Sequence, residues 1–320
     1  SNLYQDFLTL DKSLTINGSS SWNNDGFSGF SAIVTTAAGS ITNNSTINAI
    51  NASDLTIAVP FDNTGTGIVT KSSGGGSLIF SDDFINSGAL NANFALVELR
   101  GLGIYNPVGN FNVDGTLDFE AGTHTVATAI TGAGLITSGV VLDVSTAGLA
   151  SGLSLDSYAG TVSIGAVVPT LNNLTVSGGT INNGVTAMSI TTDLTVSAGS
   201  LTLGAVNAGN NVSVSGAGQA ILGGNLTVGN DVTINGGTAL LDITGTLGVP
   251  GALNLMQGTL ASSGDITVTG TTTWNPGLSL GGDQPFILNG AGALLANGGF
   301  SMGSNLYQDF LTLDKSLTIN

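Results

Sequence analysis

Between residues 117 and 280 a glycine closes an alternating run of residues about once every 20 positions. Gly122 ends LDFEAG, Gly139 follows LITS, and Gly160 ends LSLDSYAG. Gly179, Gly199, Gly218, Gly237 and Gly258 sit in LTVSGGT, LTVSAGS, VSVSGAGQ, VTINGGT and LNLMQGT. The steps between the eight are 17, 21, 19, 20, 19, 19 and 21 residues. Even with 49 glycines in the chain, unrelated ones would not fall this evenly. A structural repeat near 20 residues is the economical explanation.

Within each repeat the period is 2. In NLTVSGGTI, Leu174 and Val176 point one way while Thr175 and Ser177 point the other; DLTVSAGSLTL does the same with Leu194, Val196, Leu201 and Leu203. Such alternation predicts strands, and the glycine step between them predicts a turn that calls for positive φ. No useful helical period occurs. The nearest candidate, LYQDFLTL at 3–10, also alternates.

Two or three short strands in about 20 residues make one coil of a parallel β-solenoid. One coil cannot bury its inner face alone, and stacking at roughly 4.8 Å completes the hydrogen bonds and an apolar column. The predicted fold class is therefore all-β, a parallel β-solenoid (β-helix) of roughly 15 coils, with right-handed connections favoured. Val176, Val196, Val214, Ile234 and Leu255 are predicted to stack as one internal ladder, and Thr175, Thr195, Ser213 and Thr233 as the outer one.

Coils of the form NLTVSGGTI, DLTVSAGSL and DVTINGGTA resemble the repeats of filamentous haemagglutinins, autotransporter passengers and related bacterial β-strand-repeat surface proteins. The resemblance covers residues 113–280 well and 18–112 loosely. It implies export to the cell exterior and a role in adhesion or fibre formation.

Residues 1–112 are less regular. GSITNNSTI, SDLTIAVP, GGGSLIFS and FALVELRG are strand-like with Gly, Asn or Pro between them. They read as irregular solenoid coils with loop excursions, the alternative being a separate β-sandwich; residues 113–303 read as regular solenoid. SLTINGSSSWNNDG (13–26) echoes DITVTGTTTWNPG (265–277), with the two Trp residues, Trp22 and Trp274, in matching places.

Charge narrows the partners. Four basic residues, Lys12, Lys71, Arg100 and Lys315, face 20 acidic ones, for a net charge of −16. Phosphate binding needs clustered cations, so a nucleic-acid partner is not expected, nor is electrostatic docking on an anionic membrane. No apolar run nears 18 residues, so no transmembrane helix is expected. The absence of Cys is compatible with an oxidising or a reducing compartment. The chain starts at Ser1 without a signal peptide, and a cleaved export signal would leave no trace.

Parallel β-helices include polysaccharide lyases and hydrolases, so chemistry has to be weighed. Lyase chemistry needs a base and cations, and this chain offers one His and scattered basic residues. His124, in AGTHTVATAI, reads as a ladder residue. Asp82 and Asp83 are adjacent and so face opposite ways on a strand. Asp118 and Glu120 share a face in LDFEAG and form the spaced carboxylate pair a glycosidase would need; the blander reading is a solvated coil surface. There is no repeated GGxGxD for calcium, no Lys-Ser or Lys-Thr after the Gly-rich stretches for phosphate, and no Cys or clustered His for a transition metal. Asn-x-Ser/Thr triplets at Asn17, Asn43, Asn44, Asn51, Asn173, Asn211 and Asn225 follow from composition. The outer Thr/Ser row is too interrupted for a regular ice-binding array. No catalytic, cofactor-binding or metal-binding residue is assigned, and no enzymatic activity is expected.

One feature lies outside the coil pattern. SNLYQDFLTLDKSLTIN occupies residues 1–17 and again 304–320, an offset of 303 residues. At about 20 residues per coil, 303 residues would make roughly 15 coils and rise roughly 70 Å. The second copy reads as the start of another 303-residue block in tandem. An open solenoid end exposes strand edges and apolar core, and neither end carries a recognisable cap; a following block would supply the cover. The expectation is a structural segment of an extracellular, cell-surface bacterial fibre built by end-to-end stacking of copies of itself, in one chain or between subunits. The alternatives are an adhesin stalk with cell-surface or carbohydrate ligands and, behind it, a polysaccharide-active β-helix enzyme or an ice-binding solenoid.

Overall fold

The structure, a computed structural model, describes residues 6–23, 31–35, 39–105, 109–146, 148–165, 170–183, 187–275, 286–303 and 311–320. Among them there is no helix, and every strand pairing is parallel. The chain is a β-solenoid whose turns recur about 20 residues apart. The turns number about 13, modestly fewer than the 15 expected from length. The chain forms two compact units: Ser1–Leu155 with Gly160–Ser163, and Asp156–Ala159 with Ile164–Asn320.

In the first unit a turn consists of three short strands, such as Leu55–Ala58, Phe61–Asn63 and Ile68–Lys71. The next turn repeats them as Leu78–Phe80, Phe84–Asn86 and Ala89–Ala92. Leu78 pairs with Leu55, Phe84 with Phe61 and Leu90 with Val69. Parallel stacking of this kind excludes a β-sandwich for the first third, whose strands would pair antiparallel. The irregularity there is one of turn length: Leu14 pairs with Ile41, 27 residues on, but Ile41 pairs with Phe61, 20 residues on. Large rings fill this core. Phe61, Phe80 and Phe84 pack with centroids 4.4–5.7 Å apart, at distances where aromatic pairs add to simple burial.

The second unit is plainer. Val176, Val196, Val214, Ile234 and Leu255 are consecutive register partners and all are buried. Thr175, Thr195, Ser213 and Thr233 form the matching outer row, continued by Asn254 and Thr273. Each inner side chain removed from water in this way stabilises the stack by roughly 1.5–3 kcal/mol relative to exposure.

The aligned glycines divide by cause. Gly199 has φ +75°, as a left-handed turn requires. Gly179 and Gly218 do not have positive φ; what they avoid is a collision. A Cβ on Gly218 would lie 2.2 Å from the Val196 carbonyl oxygen of the preceding turn. Stacking distance selects glycine there, because adjacent turns are closer than a side chain allows.

Candidate functional site

The alternation of Leu96–Leu99 turns Val97 and Leu99 inward and Glu98 outward, yet Glu98 is only 5% exposed. Its register partners are Ile79 on one side and Asp118 on the other. Arg100 Nε lies 2.5 Å from Glu98 Oε1 and 2.5 Å from Glu120 Oε2, so one guanidinium clamps two carboxyls. Burial first, and then a hydrogen bond with Glu120, pushes the Glu98 carboxyl up to about 7. The same hydrogen bond, with Arg100 adding to it, holds Glu120 below its ordinary value, and Arg100 itself is raised chiefly by Glu98.

The carboxylate pair read from sequence is split by its partners. Asp118 accepts a hydrogen bond from Thr137 Oγ1 at 2.7 Å in the next turn, while Glu120 goes to Arg100. Glu98, which sequence alternation alone did not single out, is the true neighbour of Glu120. A glycosidase holds its carboxyls about 5–10 Å apart around a sugar or water. Glu98 and Glu120 instead share a hydrogen bond and a cation, which fits a structural ion cluster. Asp82 and Asp83 serve the backbone: Asp82 Oδ1 accepts from the Asp83 amide at 2.8 Å, and Asp83 Oδ1 from the Leu102 amide at 3.3 Å. Asp83 also borders a surface hollow of about 270 Å³ with Asp62, Thr42 and Ile85. Among the described residues no basic side chain lines that hollow.

His124 is fully buried on Thr123–Thr125. It lies 2.6 Å from Tyr105 Oη through Nδ1 and 2.7 Å from the Ala121 carbonyl through Nε2. It is the hydrogen-bonded ladder residue expected, but on the inner side, and burial lowers its pKa.

Two of the four basic residues also turn inward. Lys71, at the end of Ile68–Lys71, is fully buried and donates to the carbonyls of Asn51 (3.3 Å), Gly74 (3.0 Å) and Ser73. At the other end of that strand, where Asn43 reaches the Ile68 carbonyl, runs a polar ladder the sequence reading missed. Asn43 donates to Asn63 and Asn63 to Asn86, each at 2.8 Å, all three fully buried. The signal was present: ITN, FDN and FIN each end a strand with Asn at an inward position. Among the described residues no group of three or more His, Cys, Asp or Glu is placed to hold a metal ion. No helix among them is long and apolar enough to cross a membrane.

The copied segment is the remaining candidate. Residues 1–5 and 304–310 lie outside the described residues, as do 24–30 and 276–285, which hold the tails of the two Trp motifs. The described part of the first copy supplies Asp6–Leu10 and Leu14–Ile16, which pair with Ser31–Thr35 and Ile41–Asn43 of the following turn. The second copy supplies Leu311–Leu313 and Ser316–Ile319, which pair with Phe286–Asn289 and Ala293–Ala296 of the preceding turn. Leu8, Leu313 and Ile319 are exposed apolar residues of these edge turns. An open cavity of about 280 Å³ lies among Leu8, Leu14, Trp22, Ile33 and Leu55.

No family model matches the chain, and neither curated proteins nor solved structures gave a match.

Proposed function

We propose that this chain is a structural segment of an extracellular bacterial fibre built by end-to-end stacking of tandem β-solenoid blocks. The observation that carries the reading is the seating of the second copy. Leu311 stacks on Phe286 and Leu313 on Leu288 in one parallel strand pair, and Leu317 stacks on Leu294 in the next. The same letters thus open one stack and extend another, as the head of a following block would. The exposed leucines at the edge turns are the surface a neighbouring turn would cover, since unpaired parallel edges and apolar inner faces recruit another layer. The Arg100 cluster supports a non-catalytic reading, its carboxyls being spent on the guanidinium and on each other. The resemblance of the coils to bacterial surface repeats supports the location.

Electron microscopy of the native protein, read beside its full-length gene, tests the proposal. Smooth filaments with an axial period of roughly 70 Å are expected from a 303-residue block at the parallel-strand spacing. Discrete short rods that cleave a polysaccharide would overturn it.

A further inference from the structure

The copied segment contains one basic residue, and its two copies treat that residue differently. Lys12 is exposed. Lys315, its counterpart, is 7% exposed, and its Nζ donates to the Gly264 carbonyl at 3.1 Å and to the Ala291 carbonyl. Gly264 lies between Leu253–Ser262 and Ile266–Val268; Ala291 lies between Phe286–Asn289 and Ala293–Ala296. These are the same corner of successive turns, and Lys315 comes from that corner of the next. One ammonium therefore ties three layers together through their backbone.

Lysine suits this position chemically. Its head offers three donors, and a buried cation is tolerated only when such bonds replace its water. Burial lowers the Lys315 pKa, and Asp265, beside the corner, opposes that by favouring the charged form. Register follows from the neighbours. A slip of one residue would bring Asp314, which only accepts, toward the carbonyl oxygens, and would turn Leu317 outward. Neighbouring amides fix the same alignment: Asp314 N donates to the Leu288 carbonyl at 2.9 Å, and Asn320 Nδ2 to Asn297 Oδ1 at 2.8 Å.

We infer that Lys12 is the register clasp through which the head of one copy recognises the tail of another, occupying there the corner on Gly264 and Ala291 that Lys315 fills here. The partner is a second copy of the 303-residue block, its head standing where residues 304–320 stand here, and the inference rests on reading those residues as the head of a following block. A head segment without its lysine would retain strand edges and leucines but lose the contact that distinguishes one register from the next.

Hydrogen exchange on the full chain reads the clasp directly. Lys315→Met is expected to speed exchange of residues 286–296 and 311–319 about tenfold or more, while Leu194–Val196 keeps its protection and shows that the fold is intact. Lys12→Met is expected to leave those segments unchanged. Equal exchange in Lys315→Met and the parent, or an equal effect from Lys12→Met, would overturn the clasp. Micrographs of a chain carrying two full blocks separate this from the fibre reading. Particles no longer than those of one block would defeat the fibre, and the seam with it. Particles of doubled length with unchanged exchange in the lysine variant would defeat the clasp alone.

Discussion

Tyr105 Oη and His124 Nδ1 lie 2.6 Å apart inside the first unit, with the two rings stacked at 13°. The other ring nitrogen is 2.7 Å from the Ala121 carbonyl, which can only accept. Nε2 therefore carries the proton, and Nδ1 accepts from the phenol. Replacing His124 by Leu strands the phenol hydroxyl in the core, at a cost of about 1–3 kcal/mol. Adding Tyr105→Phe removes the stranded group, so the double variant is expected to be more stable than the single. Denaturant titrations of the two single variants and the double supply the cycle.

The same histidine gives stability a pH dependence. Burial lowers its folded pKa below the ordinary 6.5, so the unfolded chain binds the proton first. The contribution is present above 6.5 and is lost as pH falls through the folded value. Unfolding midpoints at pH 7.5 and 5 should show a smaller acid loss in the Tyr105→Phe, His124→Leu double variant than in the parent. Identical losses would mean that His124 does not titrate in this window.

Glu98 works in the opposite sense. Its folded pKa is raised to about 7 from 4.5. A raised carboxyl contributes stability below the unfolded value, and that contribution disappears as pH climbs through 7. Glu98→Gln fixes the neutral form, so the variant should match the parent near pH 4.5 and exceed it above pH 8, by on the order of 1–3 kcal/mol. Thermal melts across that range check the sign. Glu120, held low by the same contacts, should destabilise at every pH above 5 when changed to Gln, because Arg100 then loses an anionic partner.

Val176 and its successors could be placed from sequence because alternation and a 20-residue step leave one inward position per strand. Glu98 could not, because V-E-L alternates correctly and its burial depends on side chains of neighbouring turns. Lys71 and Lys315 escaped for a related reason. Lysine is ordinarily a surface residue, and only the stacked corners supply the carbonyls that receive it. The copied segment marks the limit most clearly. Lys12 and Lys315 have identical local sequence, so their different exposure comes wholly from the turns they are stacked on.

The Asn43–Asn63–Asn86 ladder should be sensitive at its centre. Asn63 accepts from Asn43 and donates to Asn86 Oδ1 and, at 3.0 Å, to the Ala89 carbonyl. Asn63→Leu would leave two buried acceptors without this donor, for an expected loss of about 2–4 kcal/mol. Asn63→Asp keeps the acceptor but sets a carboxylate against Asn86 Oδ1, so its cost should grow as pH rises above the carboxylate range. Denaturation midpoints at pH 4 and 8 distinguish the two effects.

Two glycines of the repeats should respond to substitution with opposite signs. Gly199 combines φ +75° with a carbonyl oxygen, that of Gly179, only 2.0 Å from where a Cβ would stand. The left-handed backbone alone costs an alanine about 1–2 kcal/mol, and the collision is with main chain, which cannot rotate away. Gly199→Ala should therefore lower the unfolding midpoint markedly. Gly248, on Leu247–Val249, meets nothing within 4 Å, lies outside the positive-φ region and stands in the outer row between Thr227 and Thr267. A strand glycine with open space loses backbone entropy on folding without gaining a contact. Gly248→Thr would complete the row and should raise stability by roughly 0.5–1 kcal/mol. Melting both variants beside the parent tests whether stacking distance or turn conformation governs each site: a neutral Gly199→Ala would show that adjacent turns can separate enough to admit a methyl group.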